Sequence, residues 1–173
     1  MSPFTPIFIP GLLCTEFLFA KQRASLSNAG LIADTTRHDS INEMARVALD
    51  QCTGALLPVG LSMGGYVALE MARLAPERIV GMALLSTDAG MDSDKRAHER
   101  RQAIKLATQK GFKGITRSFL SQLISEAARG EALLTDNIMA MASNIGPVGF
   151  IQQQTAILGR RDQKDMLANF HAP

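Results

Sequence analysis

Tryptophan is missing from this chain of 173 residues, tyrosine occurs once and histidine three times. With so few aromatic side chains, and no block of Lys/Arg set among them, there is no platform on which nucleic-acid bases would stack. The net charge is only +2, from 18 basic and 16 acidic residues, too weak a field to hold a polyanion or an anionic membrane surface. Apolar runs are short and interrupted by Gly, Pro or charge, far below the roughly 20 residues a membrane-spanning helix needs. The opening MSPFTPIFIPG has neither the basic start nor the full apolar run of a secretory leader. Cys14 and Cys52, the two cysteines, show no metal-ligand spacing and read as reduced thiols of a cytoplasmic protein. These absences exclude nucleic acid and membrane as partners. Histidines and carboxylates are not clustered either, which leaves a metal hydrolase short of ligands.

What is present is an ordinary globular balance, 46% apolar and 20% charged, at a length suited to one domain or a core with a small appendage. Residues 6–9 (PIFI) form a short β-rich run ending at Pro10-Gly11. A helix is expected from Thr15, as N-cap, to Ser27, with Asn28 to Gly30 as its stop. Leu31–Thr35 reads as a second strand, and Ser40 as the cap of a helix through Asp50. Ala55–Leu61 is continuously apolar, the pattern of a strand buried on both faces. Met63–Leu74 reads as a helix and Ile79–Ser86 as another apolar strand. This alternation predicts a parallel sheet with helices on both sides.

After Gly90 the texture changes, and only amphipathic helical stretches are legible up to Phe170. One spans Phe112–Ile124, with Phe112, Ile115, Phe119, Leu120 and Leu123 on one side. Others cover Leu133–Ala142 and Val148–Leu158, separated by Gly146-Pro147. The second half is expected to be a helical layer set on the sheet.

Between the third strand and its helix stands Gly60-Leu61-Ser62-Met63-Gly64, a G-x-S-x-G pattern followed by another glycine. A serine there is forced into a strained turn that lifts its Oγ to the top of the sheet, where it can act as a nucleophile. Glycines around it let the helix pass close to the strand. The helix start aims free backbone N–H groups and a positive dipole end at a developing oxyanion. Folds built on such an elbow take one donor from the residue after the serine and another from a loop after an earlier strand. Met63 N–H and Leu12 N–H, the latter in Ile9-Pro10-Gly11-Leu12-Leu13, are the expected pair. GLSMGG fits neither the dinucleotide fingerprint nor the phosphate-binding P-loop, so no cofactor is called for.

The segments FIPGLLCTEFLFAKQ, DTTRHDSINEMA and VGLSMGGYVALEMARLAPERIVGMALLSTDAG resemble the lidded α/β-hydrolase superfamily. They are most similar to its small bacterial esterase-like members, which include carboxylesterases, enol-lactonases and carrier-protein methyl-ester esterases. MASNIGPVGFIQQQTAILGRRD looks like the cap where it returns to the core. The resemblance implies an N-terminal core over residues 1–91, a helical cap over 92–170 and the start of a return linker at 171–173. It also implies a Ser-His-acid triad, with Ser62 attacking the carbonyl of an acyl substrate to form an acyl-enzyme. Where many relatives have His-Gly, this chain has Pro10-Gly11, which keeps the turn but not the histidine side chain.

In that superfamily the acid and the histidine follow the nucleophile, on loops after later strands. The three histidines here are His38, His98 and His171. They stand in a loop before the nucleophile, in a charged helix start and in the linker, and none has the expected place. Asp88, two residues past the end of the fourth strand, is expected in a loop or capping role. The acid and base are therefore expected beyond residue 173, and the chain by itself should be nearly inactive. A non-catalytic acyl-ligand or partner-binding module, or an acyltransferase, is the alternative on the same fold. The apolar cap positions, among them Met139, Met141, Phe150 and Ile151, suit an apolar acyl or ring portion of a small-molecule substrate. With no later strands beside it, the strand at 79–86 would be an open edge, implying self-association or pairing with a C-terminal fragment.

Overall fold

The apolar run Pro6–Ile9 lies within β1 (Thr5–Ile9), an interior strand of a four-stranded, wholly parallel sheet. The structure, a computed structural model, describes residues 4–110, 112 and 114–171. The other strands are β2 (Leu31–Ile32), β3 (Leu56–Leu61) and β4 (Ala83–Leu85), in the order β2-β1-β3-β4. Ile7 stands beside Pro58, and Val59 beside Ala83. The chain therefore builds outward from β1 to β2, then crosses back to lay β3 and β4 on the other side. The reversal lies between β1 and β3, where the outgoing connections part to opposite sides of the sheet order.

Helices α1 (Ala20–Ala24), α2 (Ile41–Asp50) and α3 (Met63–Leu74) belong to the core layer, and α4 (Asp94–Lys110), α5 (Arg117–Leu123), α6 (Glu126–Arg129) and α7 (Ala132–Leu158) to the second half. A last short helix, α8 (Lys164–Ala168), follows. Ile7, Ile9 and Leu56 join Met44, Ala45 and Ala48 of α2 and Val67, Ala68, Met71 and Ala72 of α3 in one buried cluster. The alanines let both helices lie close to the sheet, and each fully buried Ile, Leu or Met contributes roughly 1.5–3 kcal/mol. Phe8 points to the opposite face and meets Phe19 with ring centroids 5.2 Å apart. Residues 164–170, in the segment read as cap, return to the core, where Met166 and Phe170 pack against this cluster.

Several elements are shorter than the periodicity predicts. Thr15 caps a 3₁₀ turn, Glu16–Phe19, rather than an α-helix, and α1 ends at Ala24 as Ser25 turns its hydroxyl back onto Lys21 O. β2 stops at Ile32 because Asp34 draws Thr36 N–H into a side-chain turn at 2.9 Å. β3 is not buried on both faces: Leu56, Pro58 and Gly60 are buried, while Leu57, Val59 and Leu61 are only half-buried. The run Ile79–Ser86 is not one strand. Ile79 bridges Leu56 and Ala83 pairs with Val59, so this side carries one extra residue and bulges out of the ladder between them. The helix expected over Phe112–Ile124 begins only at Arg117, since Gly114 takes φ 68° and Thr116 caps after it. Of that stretch Lys113 lies outside the described residues, as do residues 172 and 173 of the expected linker. The break at Gly146-Pro147 is a kink within α7, where Gly146 has φ 67°.

A second apolar cluster, with Ala107, Ile115, Leu120, Ala142 and Phe150, takes in Leu13 from the loop after β1. At the junction of the two halves Arg160 donates to Gly90 O and to Asp92 at 3.0 Å, while Arg100 reaches Asp92 at 2.6 Å. Tyr66 packs under Arg160 with the guanidinium 4.2 Å from the ring centre. No helix among the described residues is long and apolar enough to cross a membrane.

Candidate active site

β3 ends at Leu61 and α3 begins at Met63, so Ser62 alone makes the turn from strand to helix. It does so at φ 53°, ψ −112°, a conformation that costs a side-chain-bearing residue about 1–3 kcal/mol and persists only when its surroundings enforce it. Here they do. Ser62 N–H donates to Leu85 O at 2.9 Å, and Ser62 O accepts from Gly65 N–H at 2.9 Å and from Thr87 Oγ1 at 2.8 Å. Close packing holds the turn from the other side. A Cβ on Gly64 would run into the Ile9 carbonyl, and one on Gly60 into the Gly64 backbone. The half-buried Ser62 thus stands at the carboxyl ends of the two central strands, at the point where the sheet reverses its order.

Both expected N–H donors lie beside it. Met63 is the first residue of α3, with its side chain buried in the core and its N–H among those a helix start leaves free. The loop after β1 runs alongside, since a Cβ on Gly11 would sit 3.6 Å from Ser62 Cβ. Among the described residues neither Leu12 nor Met63 gives its N–H to a protein acceptor. Leu13, by contrast, takes φ 61° and donates its N–H to Gln153 Oε1 at 3.0 Å. Gln153 comes from α7, is completely buried, and sends its Nε2 to Thr35 O at 3.1 Å. Sequence reasoning missed this residue. Its only signal was the run Gln152-Gln153-Gln154 in a mostly apolar helix.

No histidine is hydrogen-bonded to Ser62 among the described residues. His38 is half-buried in the loop before α2, His98 is exposed on α4 with Gln102 at 3.5 Å, and His171 is exposed. Asp88 uses its Oδ1 to accept Gly90 N–H at 2.8 Å, a loop-forming role. Ser86, directly after β4, is a third residue with a side chain held at positive φ, 45°. Burial pushes the Cys14 thiol up to about 11, so it stays protonated and unreactive near neutrality. No group of three or more His, Cys, Asp or Glu side chains that could hold a metal ion occurs among the described residues.

An apolar cavity of about 490 Å³ opens next to the loop, lined by Leu12 and Leu13 together with Ala107, Ile115, Phe119 and Phe150. Of the four apolar cap residues singled out in the sequence, only Phe150 lines it. Met141 is instead buried, with its sulfur accepting Thr15 N–H at 3.4 Å. A second void beside Tyr66, Glu70 and Arg160 holds about 50 Å³, room for water only.

No family profile and no curated protein matches the chain. Solved structures do. A thermophilic esterase from Thermogutta terrifontis superposes with a TM-score of 0.82 at 22% identity, over 97% of this chain and 68% of its own. The enol-lactonase from Burkholderia xenovorans gives 0.75 at 18% identity, over 100% of this chain and 71% of its own. MenH from S. aureus gives 0.77 at 17%, over 100% and 74%. Likeness at these identities establishes architecture, and with the parallel sheet, its flanking helices and the strand order above, it shows that this chain has the α/β-hydrolase fold.

Proposed function

We propose that the chain is the nucleophile-bearing part of a serine hydrolase acting on a carboxylic ester or related acyl substrate. The observation that carries this is the backbone of Ser62, held at φ 53° between β3 and α3 by bonds to its N–H and its C=O. Ser62 Oγ attacks the substrate carbonyl, the negative charge forming on the carbonyl oxygen is met by Leu12 N–H and Met63 N–H, and collapse expels the alcohol to leave an acyl-enzyme. Water then attacks the acyl carbon and frees the acid. The apolar cavity beside Leu12 suits a hydrocarbon or ring portion of the substrate. A reducing, cytoplasmic setting agrees with two free cysteines.

A general base must take the Ser62 proton, and His38, His98 and His171 are not bonded to it. The 173 residues by themselves are therefore expected to be slow, retaining only the residual ~10³–10⁴-fold catalysis of binding and oxyanion stabilisation. The same observation favours the second reading, a module that binds an acyl ligand or a partner without turning it over. An acyltransferase would use the same nucleophile with an alcohol or thiol in place of water. Labelling with a fluorophosphonate separates hydrolase chemistry from binding. The intact protein should be labelled at Ser62 alone, and the chain of 173 residues more slowly by orders of magnitude. Labelling that survives Ser62→Ala would sink the assignment.

A further inference from the structure

The loop after β1 has an unusual mechanical problem. Leu12, the expected oxyanion donor, is followed directly by Leu13 at φ 61°, a conformation costly for a branched side chain. Its local support is two bonds from Cys14, the N–H to Gly11 O at 3.1 Å and Sγ to Leu12 O at 3.5 Å. What satisfies the Leu13 N–H comes from the other end of the chain, Gln153 Oε1 at 3.0 Å. The amide of Gln153 is itself anchored, through Nε2, on Thr35 O in the loop after β2. With both amide atoms bonded and no exposure to solvent, the side chain has one orientation. The next residue, Gln154, accepts Arg100 Nη1 at 2.8 Å, and Arg100 in turn grips Asp92. Two adjacent glutamines on α7 thus fasten the cap helix to the oxyanion loop on one side and to the cap–core junction on the other.

We infer that Gln153 is a positioning residue for the acyl-transfer chemistry, fixing Leu13 so that Leu12 N–H is aimed at the oxyanion only when the cap helix is seated. This rests on the reading of Ser62 as nucleophile. Gln153 touches no reacting atom; it acts through the backbone of Leu13. Its removal should therefore weaken transition-state stabilisation and leave substrate affinity alone. Losing an oxyanion donor outright lowers kcat about 10²–10³-fold, so a donor left in place but misaimed should lower it by about 10–100-fold.

The test uses Gln153→Met, nearly isosteric but unable to make either bond, with Gln152→Leu on the same helix as the control for general disturbance. In the intact protein, kcat for a p-nitrophenyl ester should fall by about 10–100-fold in Gln153→Met with KM within about 2-fold. Affinity for a trifluoromethyl ketone, which mimics the tetrahedral adduct, should drop in parallel with kcat. Hydrogen exchange of the Leu13 amide should speed up by at least about 10-fold, and that is measurable in the 173-residue chain whatever its activity. If Gln153→Met does not fold, Gln153→Asn retains a buried amide but is too short to span Leu13 and Thr35, and the same changes are expected. Unchanged kcat, a fall shared equally by kcat and 1/KM, or unchanged Leu13 exchange would overturn the inference. Full activity in Ser62→Ala would instead overturn the nucleophile reading beneath it.

Discussion

Gln153 and Leu13 stand 140 residues apart in the chain and are joined by a single buried hydrogen bond of 3.0 Å. The bond ties α7 to the loop that flanks Ser62, so on the proposed reading this helix is part of the framework of the site and not only a cover. Thr35, which accepts the other end of the Gln153 amide, keeps its own buried hydroxyl without a hydrogen-bond partner among the described residues. A polar group in that condition costs about 1–3 kcal/mol, and deleting Gln153 would add the Leu13 N–H and the Thr35 carbonyl to it.

Ser62 stores strain that a glycine would release. Its φ of 53° is open to glycine without penalty, and the relief of about 1–3 kcal/mol exceeds the extra flexibility glycine gives the unfolded chain, about 0.4–1 kcal/mol. Ser62→Gly should therefore unfold about 2–4 °C higher than the parent while losing all fluorophosphonate labelling. Calorimetry of the two proteins decides it, and a lower melting temperature for the variant would show that the turn is not strained.

Two glycines should respond oppositely to alanine. At Gly64 the new methyl group would lie on the Ile9 carbonyl and against Pro10 O, both backbone atoms that cannot move aside. At Gly81 the nearest atom is Leu57 Cδ1, 3.9 Å away, an ordinary contact. Gly64→Ala should lose at least about 3 kcal/mol or fail to fold, beyond the usual overpacking cost, and Gly81→Ala should stay within about 0.5 kcal/mol of the parent. Urea titrations of both variants measure the contrast; a stable Gly64→Ala would mean that α3 does not pass as close to β1 as described.

The contrast between those positions also explains what could be read before the structure. The turn at Ser62 is encoded locally: an apolar strand, glycines where backbones touch and a helix pattern directly after. All the information lies within Leu56–Leu74, and the element boundaries there agree to within a residue. Ile79–Ser86 read as one strand because its composition is apolar throughout, and composition does not register the extra residue that interrupts the ladder between Val80, whose N–H still bonds Leu56 O, and Ala83. Phe112 and Ile115 fell on the right side of a helix that Gly114 prevents from starting there. Gln153 was invisible for another reason: a buried glutamine is recognised only by its partners, and these sit on two loops more than a hundred residues away.

Acid should loosen the junction between the sheet layer and the helical second half. Burial of Asp92 would raise its carboxyl, but hydrogen bonds and charge from Arg160 and Arg100 outweigh it and hold the group below its ordinary 3.8. Glu70 is likewise buried, and bonds from Arg73, Asn42 and Gln163 bring it below its ordinary 4.5. A carboxylate with a depressed folded value contributes stability that is fully present above its unfolded value and is lost as pH falls through the folded one. Stability should thus hold above about pH 5 and decline steadily below it. Asp92→Asn leaves Arg160 buried without its ion-pair partner and should cost about 3–5 kcal/mol at neutral pH, with a shallower acid limb that converges on the parent at low pH. Urea midpoints across pH 2–7 (about six points) give both curves, and parallel curves would show that Asp92 does not carry the acid sensitivity.

The strand β4 should govern how this chain behaves in solution. Among the described residues it pairs with β3 on one side and with nothing on the other. It runs through Ala83-Leu84-Leu85 without a charge, and Leu85 is 43% exposed. Natural sheets blunt such an edge with lysine, proline or a covering loop, because its free N–H and C=O groups template pairing with another strand. The bulge between Ile79 and Ala83 interrupts the edge on its N-terminal side, which confines the exposed ladder to three residues and the segment after them. The expected outcome for the 173-residue chain is self-association through β4, unless a C-terminal piece of the same protein accompanies it and fills the edge. Leu85→Lys places a charge on the exposed position without opening the core and should shift the purified chain toward monomer. Sedimentation velocity of parent and variant, with the intact mass of every polypeptide in the sample, distinguishes these cases. A soluble parent monomer with no second polypeptide would show that β4 is not an edge in need of a partner.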